Sequence, residues 1–447
     1  MLRVLINAYA CSPNMGSEPG MGWNWCVSLA RNCEMVIITE GEFRDKIEKV
    51  VQTLPQGKNM HFHYNQVPDE IRRMCWNQGD WRFYKHYKEW QWKTYLIAKD
   101  ICEKEHIDVL HQLNMIGFRE PGYLWKISQE TGIPFVWGPI GGLKQFPKGF
   151  LRKAGLKQMV FNSIKNTINV LQLKYSKRVN EALHTASALI SSIPDSQRVI
   201  KKYKDLDSVI IPETGCFPST LQDNPNRFDR RCLKLLWVGK FDYRKQLEIA
   251  IASVAKVARD LVLTPEEIRL VVCGTGNENQ VAHYHQLAKD MDIDDYVDWK
   301  GQCAHETISN EMQKSGMLFF TSISDDTSTV VMEAISNHLP VLCHDAMGFG
   351  YVVNEECGIK ISLVNQKHSV NDFAEKIETV YKDRDILKEL SQGCKKVQEK
   401  YLWENKAKDM MNIYNKVVAQ PSIGGGQLRS NCKIISIASC ANRKKYA

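Results

Sequence analysis

The sequence predicts an α/β protein of two doubly wound, Rossmann-like domains facing a central cleft. Three observations predict it. Short apolar runs alternate with helical patterns along the whole chain. The runs are continuous in Val, Ile and Leu, as in parallel strands buried on both faces. They fall into two consecutive sets, which implies two sheets. A chain of 447 residues, 43% hydrophobic and 25% charged, has room for two such domains.

In the first set, strands are expected at Val4–Asn7, Met35–Thr39, His61–Asn65, Asp108–Gln112, Phe135–Trp137, Ala188–Ser191 and Val209–Ile211. In the second they are expected at Leu233–Val238, Arg269–Cys273, Val297–Lys300, Met317–Thr321, Val341–Cys343 and Gly358–Ser362. Between the sets lie Ile211-Pro212-Glu213-Thr214-Gly215 and the polar stretch 222–231, rich in the Pro, Asn and Asp of linkers. This gives a first domain over 1–215 and a second over 216–400. A late helix within 401–418 carries Trp403, Ala407, Met410, Tyr414 and Val417 at helical spacing and is expected to cross back over the junction. Residues 419–447 read as a flexible basic tail.

Composition narrows the function. The 14 cysteines are scattered with no CxxC pair, which argues against a zinc site and for a reducing compartment. No apolar run approaches the roughly 20 residues of a spanning helix. The opening Met1–Asn7 reads as a first strand rather than a signal peptide. A cytoplasmic protein is expected, peripheral at the inner face of the membrane if its basic surface meets lipid. The net charge is +8, but it is concentrated. Residues 142–180 hold nine basic residues and no acid (Lys144, Lys148, Arg152, Lys153, Lys157, Lys165, Lys174, Lys177, Arg178). That is one basic segment, not a nucleic-acid-binding surface. Within it, Leu156, Val160, Ile164, Ile168, Leu171 and Tyr175 form a helical stripe, read either as an interfacial face or as ordinary packing. Eight aromatics between Trp76 and Tyr95 are read as stacking sugar rings, as sitting at a membrane interface, or, for most of them, as ordinary core packing.

Ligands of open α/β sheets bind at the carboxyl ends of the strands, so chemistry is sought there. After the first strand, Gly16, Ser17, Gly20 and Gly22 precede a helix, where backbone amides can approach a phosphate or sugar. After Leu233–Val238 come Gly239-Lys240-Phe241-Asp242-Tyr243-Arg244-Lys245, a glycine and three cations suited to a diphosphate. After Met317–Thr321 comes a Ser- and Thr-rich run, Asp325-Asp326-Thr327-Ser328-Thr329-Val330, opening the helix that carries Glu333. A carboxylate at that position can accept hydrogen bonds from a ribose diol. Asp290-Met291-Asp292 and Asp292-Ile293-Asp294 read as DxD but lie in an acidic turn. Gly274-Thr275-Gly276 lacks the third glycine of a dinucleotide fingerprint.

These features, in order and spacing, resemble family 4 of the retaining nucleotide-sugar glycosyltransferases, which have the GT-B fold. The resemblance rests on Val238-Gly239-Lys240 with Lys245, Val271 to Gly276, Val297 to Gly301, and Asp325 through Glu333-Ala334 followed by Leu339-Pro340-Val341. The first half is similar more loosely, through Gly16-Ser17-Glu18-Pro19-Gly20, Asp108-Val109-Leu110-His111 and Pro134 to Pro139. The resemblance implies that Lys240 and Lys245, with Arg244, hold a donor diphosphate and that Glu333 binds the ribose. It implies that Asp325 touches the donor sugar, and that the backbone from Asp326 to Val330 contacts sugar and phosphate. Gly239, Gly274 and Gly276 would line the nucleotide, and His111 would face the reacting sugar. No metal and no cofactor beyond the nucleotide-sugar co-substrate is implied. The acceptor would be a glycan or lipid-linked glycan; separately, the basic segment itself allows peripheral membrane contact through 142–180, and no nucleic acid is expected. Asp325 stands where the family has Glu, Lys240 where it has Arg, and Asp326-Thr327-Ser328 where it has a Gly-Phe-Gly-like run. A sugar-nucleotide epimerase or glycoside phosphorylase on the same fold, and a catalytically silent binding homologue, are the alternative readings.

Overall fold

The computed structural model describes residues 1–77, 80–151, 155–219, 227–229 and 231–419. Strands β1 (Arg3–Ala8), β2 (Glu34–Thr39), β3 (Met60–Tyr64), β4 (Val109–Asn114), β5 (Phe135–Ile140), β6 (Ala188–Ser191) and β7 (Val209–Ile210) form one sheet, in the order β3-β2-β1-β4-β5-β6-β7. Strands β8 (Leu233–Val238), β9 (Ile268–Cys273), β10 (Val297–Gly301), β11 (Met317–Phe320), β12 (Val341–His344) and β13 (Gly358–Ile361) form a second, in the order β10-β9-β8-β11-β12-β13. Every pairing is parallel. The apolar runs become strands because both faces are covered. Val4 and Ile6 of β1 point into one core and Leu5 into the other. Leu235 and Trp237 of β8 are likewise separated from Leu236 and Val238.

In each sheet the strand order reverses beside its first strand, between β1 and β4 and between β8 and β11. Such switch points open a crevice at the strands' carboxyl ends. Both crevices are lined by the loops singled out from sequence.

The chain passes between the sheets at two places that lie side by side. The Cys216 amide donates to the Tyr401 carbonyl (2.8 Å) and the Trp403 amide to the Cys216 carbonyl (3.2 Å). The last helix, Trp403–Ala419, then packs Trp403, Ala407, Met410, Tyr414 and Val417 into the first sheet's core. A third link is a strap after β5. Phe150 is wholly buried in the second domain's core, and its carbonyl accepts from the Tyr243 hydroxyl (2.7 Å). Most of the expected linker 222–231, Arg152, Lys153, and the tail from residue 420 lie outside the described residues. Of the eight clustered aromatics, Phe83, Tyr87, Trp90 and Tyr95 are buried, while Trp76, Trp81, Tyr84 and Trp92 are exposed.

Candidate active site

The loop after β8 carries Arg244 and Lys245, and the loop after β11 carries Asp325. The three meet across the second domain's switch point. Lys245 Nζ lies 2.7 Å from Asp325 Oδ2, Arg244 pairs with Oδ1, and the Ser322 hydroxyl donates to Oδ2 at 2.6 Å. Burial pushes the Asp325 carboxyl up, but Lys245 and Arg244 beside it outweigh this and hold it below the usual range. Two cations at a strand end, converging on one pair of oxygens, form an anion-binding geometry whose occupant here is a side chain. Lys240 stands apart, exposed on the same loop.

Backbone packing explains the glycines of these loops. A Cβ on Gly274 would stand 1.8 Å from the Gly239 carbonyl oxygen, so only glycine lets the β8 and β9 loops approach this closely. A Cβ on Gly276 would meet Gln280 and Phe241. Gly239 lies against Lys245 and Trp237. Gly16 has open space around its Cβ position, and Ser17 beside it is exposed.

Glu333 lies in the Thr329–Ser336 helix, and its Oε1 is 3.0 Å from His305 Nε2. His305 opens the helix after β10, and its hydrogen bond to Glu333 raises its pKa. The Ser and Thr residues of this run do not cap the Glu333 helix with their side chains. Ser328 is the N-cap, at φ +73°, and its side chain makes no capping bond.

The facing domain contributes carboxylates and a lysine. Glu213 accepts from the Thr327 amide (2.7 Å) and from its hydroxyl (2.8 Å). Lys144 Nζ pairs with Asp326 Oδ2 at 3.0 Å. Glu18 Oε1 accepts from the Ile116 amide (3.3 Å), whereas its buried Oε2 has no partner. Burial, with Glu213 and Asp326 nearby, pushes the Glu18 carboxyl up to about 7. Burial and the same Asp326 raise Glu213. Shifted carboxyls at a cleft mark candidates for chemistry.

Two sequence expectations are corrected. His111 was placed at a strand end facing the cleft. It is the third residue of β4, wholly buried, on the face that meets the last helix. Its Nε2 donates to the Gly138 carbonyl (2.7 Å), so its Nδ1 accepts from the Tyr414 hydroxyl (2.6 Å). Burial lowers its pKa to about 4. The strand runs two residues beyond the expected Gln112, which moves His111 inward. Thr327 was expected to offer its amide to a ligand, but Glu213 of the other domain holds both its amide and its hydroxyl. Sequence reasoning also passed over Glu213, Lys144 and His305. Lys144 lay within the basic segment and Glu213 within the boundary turn, but their partners come from the other domain and leave no local signal. Among the described residues, no group of three or more His, Cys, Asp or Glu side chains is arranged to hold a metal ion.

Two doubly wound parallel domains, with the strap and last helix tying them across a shared cleft, define the GT-B class of fold. The sucrose-phosphate synthase structure from Thermosynechococcus elongatus matches it with a TM-score of 0.64 at 16% identity, over 94% of this chain and 100% of that one. The structure of HepE from Anabaena in complex with UDP matches with a TM-score of 0.59 at 14% identity, over 93% and 100%. The second domain can be placed more closely. Residues 220–397 match the family model of glycosyl transferases group 1. Among curated proteins, an uncharacterised glycosyltransferase of Methanocaldococcus jannaschii is 24% identical over 40% of this chain and 44% of its own length. A D-inositol 3-phosphate glycosyltransferase of Rhodococcus erythropolis is 24% identical over 42% of each. The aligned part thus spans less than half the length of these relatives.

Proposed function

We propose that the protein is a retaining glycosyltransferase that moves a sugar from a nucleotide-diphosphate sugar to a glycan or lipid-linked glycan. The observation that carries this reading is the convergence of Lys245 and Arg244 on one carboxylate at the β8/β11 switch point, inside the domain that matches glycosyl transferases group 1. Solved neighbours titled as complexes with UDP and UDP-glucose support a nucleotide-sugar donor.

Transfer breaks an anomeric C–O bond and builds charge on the departing diphosphate. Lys245 and Arg244 meet that charge, and pre-set donors of this kind are each worth about 3 kcal/mol of barrier. An incoming diphosphate competes with Asp325 for the two cations and frees the Asp325 carboxylate to accept from sugar hydroxyls. Glu333 receives the ribose diol once His305 gives way. The leaving phosphate takes the acceptor's proton, so no separate base is required. In this reading residues 216–400 hold the donor, residues 1–215 with 401–418 face the acceptor, and no metal takes part.

The test is a thermal-shift panel of nucleoside diphosphates and their sugars in EDTA, followed by product analysis with and without a glycan acceptor. One nucleotide and its sugar should stabilise the protein, and Lys245→Ala should abolish the shift. If none of the nucleotides shifts the transition, or Lys245→Ala responds as wild type does, the reading fails. Interconversion of the donor without acceptor would identify an epimerase instead.

A further inference from the structure

The Leu156–Tyr175 helix has its polarity reversed for a helix resting on a domain. On an α-helix of about 100° per residue, Val160, Phe161, Ile164, Ile168, Leu171 and Tyr175 fall within an arc of about 100°. All six face solvent, at 43 to 74% exposure. The side turned to the protein is polar and satisfied. Asn166 Oδ1 accepts from the Phe146 amide (3.1 Å), Gln172 Oε1 accepts from Arg119 Nε (2.7 Å), and Arg119 also donates to Asn169. Leu173 is the wholly buried apolar exception. Those inward bonds fix the rotation of the helix, so it cannot roll to hide its apolar face. Lys165 and Lys174, both exposed, flank the apolar arc on either side. The side chains of Leu156 and Lys157 lie outside the described residues.

We propose that this helix lies flat on an anionic membrane surface, its apolar arc in the acyl boundary and its flanking lysines among the headgroups. Three features select that occupant. The apolar ridge from Val160 to Tyr175 is about 22 Å long and convex, which suits a bilayer surface better than a groove. Of the nine cations of 142–180, Lys144 and Arg178 are neutralised by Asp326 and Glu120; the other seven, with no acid among them in the segment, attract anionic headgroups and repel a second copy of it. Long lysine stems can lie along the apolar arc with their ammonium groups in the headgroup layer. No helix among the described residues is long and apolar enough to cross a membrane, so contact here is in the plane of the surface.

The helix is also wired to the cleft. The Phe146 amide bonds its Asn166, the Phe146 ring stacks on Tyr243 (6.4 Å between centroids), and Lys144 two residues earlier pairs with Asp326. A docked helix therefore holds the cleft mouth beside the bilayer. This deepens the reading of a lipid-linked acceptor, but its test does not pass through that reading.

The full chain is sedimented with sucrose-loaded vesicles of phosphatidylcholine alone or with 30 mol% phosphatidylglycerol, at low salt and in 0.5 M salt. It should pellet with the anionic vesicles, and less in high salt. Ile164→Glu with Ile168→Glu should reduce pelleting at least tenfold while nucleotide-induced thermal shifts stay as in wild type. A wild-type chain that stays in the supernatant, or a double variant that pellets equally, overturns the proposal. So does a wild-type dimer in gel filtration that the double variant dissociates, since a second copy would then cover the face. As a second measurement, Ile168→Trp should blue-shift on anionic vesicles and be quenched by brominated acyl chains, and an unchanged emission counts against the proposal. Vesicle binding without any nucleotide response would retain the membrane surface and remove the transferase reading.

Discussion

Glu18 should make the protein lose stability as the solution passes from mild acid to neutrality. The carboxyl sits in the first turn of the helix Ser17–Leu29, with one oxygen bonded to the Ile116 amide and the other shielded and unpartnered. Burial, then Glu213 and Asp326, raise its pKa from the ordinary 4.5 to about 7. Between those values the folded chain keeps the proton and the unfolded chain releases it. The unfolded state therefore binds fewer protons, and stability falls as pH rises through that window. That rise from 4.5 to about 7 corresponds to at most about 3.4 kcal/mol, fully present below pH 4.5 and lost above pH 7. Glu18→Gln keeps the shape and removes the titration. Urea unfolding of both proteins at half-unit steps from pH 4.5 to 8 gives the difference directly. The wild type should weaken relative to Glu18→Gln by about 2 to 3.4 kcal/mol across the range. A difference that stays flat would mean that the carboxyl is solvated and that the cleft is not shielded there.

Gly274→Ala places a Cβ 1.8 Å from the Gly239 carbonyl oxygen, a backbone atom that cannot step aside, and should cost at least about 3 kcal/mol in urea unfolding of the second domain. Glu213→Ala leaves the buried Thr327 amide and hydroxyl without an acceptor, at about 3 kcal/mol, and should loosen the two domains, read as a larger radius of gyration in solution scattering. His111→Phe should destabilise the first domain by about 2 to 3 kcal/mol by stranding the Tyr414 hydroxyl and the Gly138 carbonyl. His111 stays neutral in the fold to about pH 4, so wild-type stability should drop as pH falls from 6.5 toward 4, and the difference from His111→Phe should track that drop. A His111→Phe curve parallel to wild type would show that His111 is not the titrating group.

The amino-acid sequence alone determined the thirteen strands seen among the described residues, their division into two parallel sets, and the loops that face the crevices. That information is local. An unbroken run such as Leu233–Val238 must be covered on both faces, and a glycine or cation directly after it must stand at the strand's carboxyl end. Lys245, Arg244 and Asp325 were placed beside the crevice this way, because each lies five to seven residues past a strand that its own hydrophobicity defines, and Glu333 follows one helical turn into the helix after the second of those loops. Tertiary structure alone decided which charges meet. Asp325 holds Lys245 and Arg244 some 80 residues away, and Glu213 reaches Thr327 across 114. His111 shows the limit from the other side. Two extra residues of β4 and a helix 303 residues later turned a presumed cleft histidine into a buried link to Tyr414. The rotation of the Leu156–Tyr175 helix was equally hidden. Its stripe was legible, but only the inward bonds of Asn166 and Gln172 settled that the apolar side faces out. Period and composition constrain a residue's own segment. Partners across the cleft depend on how two separately folded sheets are brought together, and no local pattern encodes that.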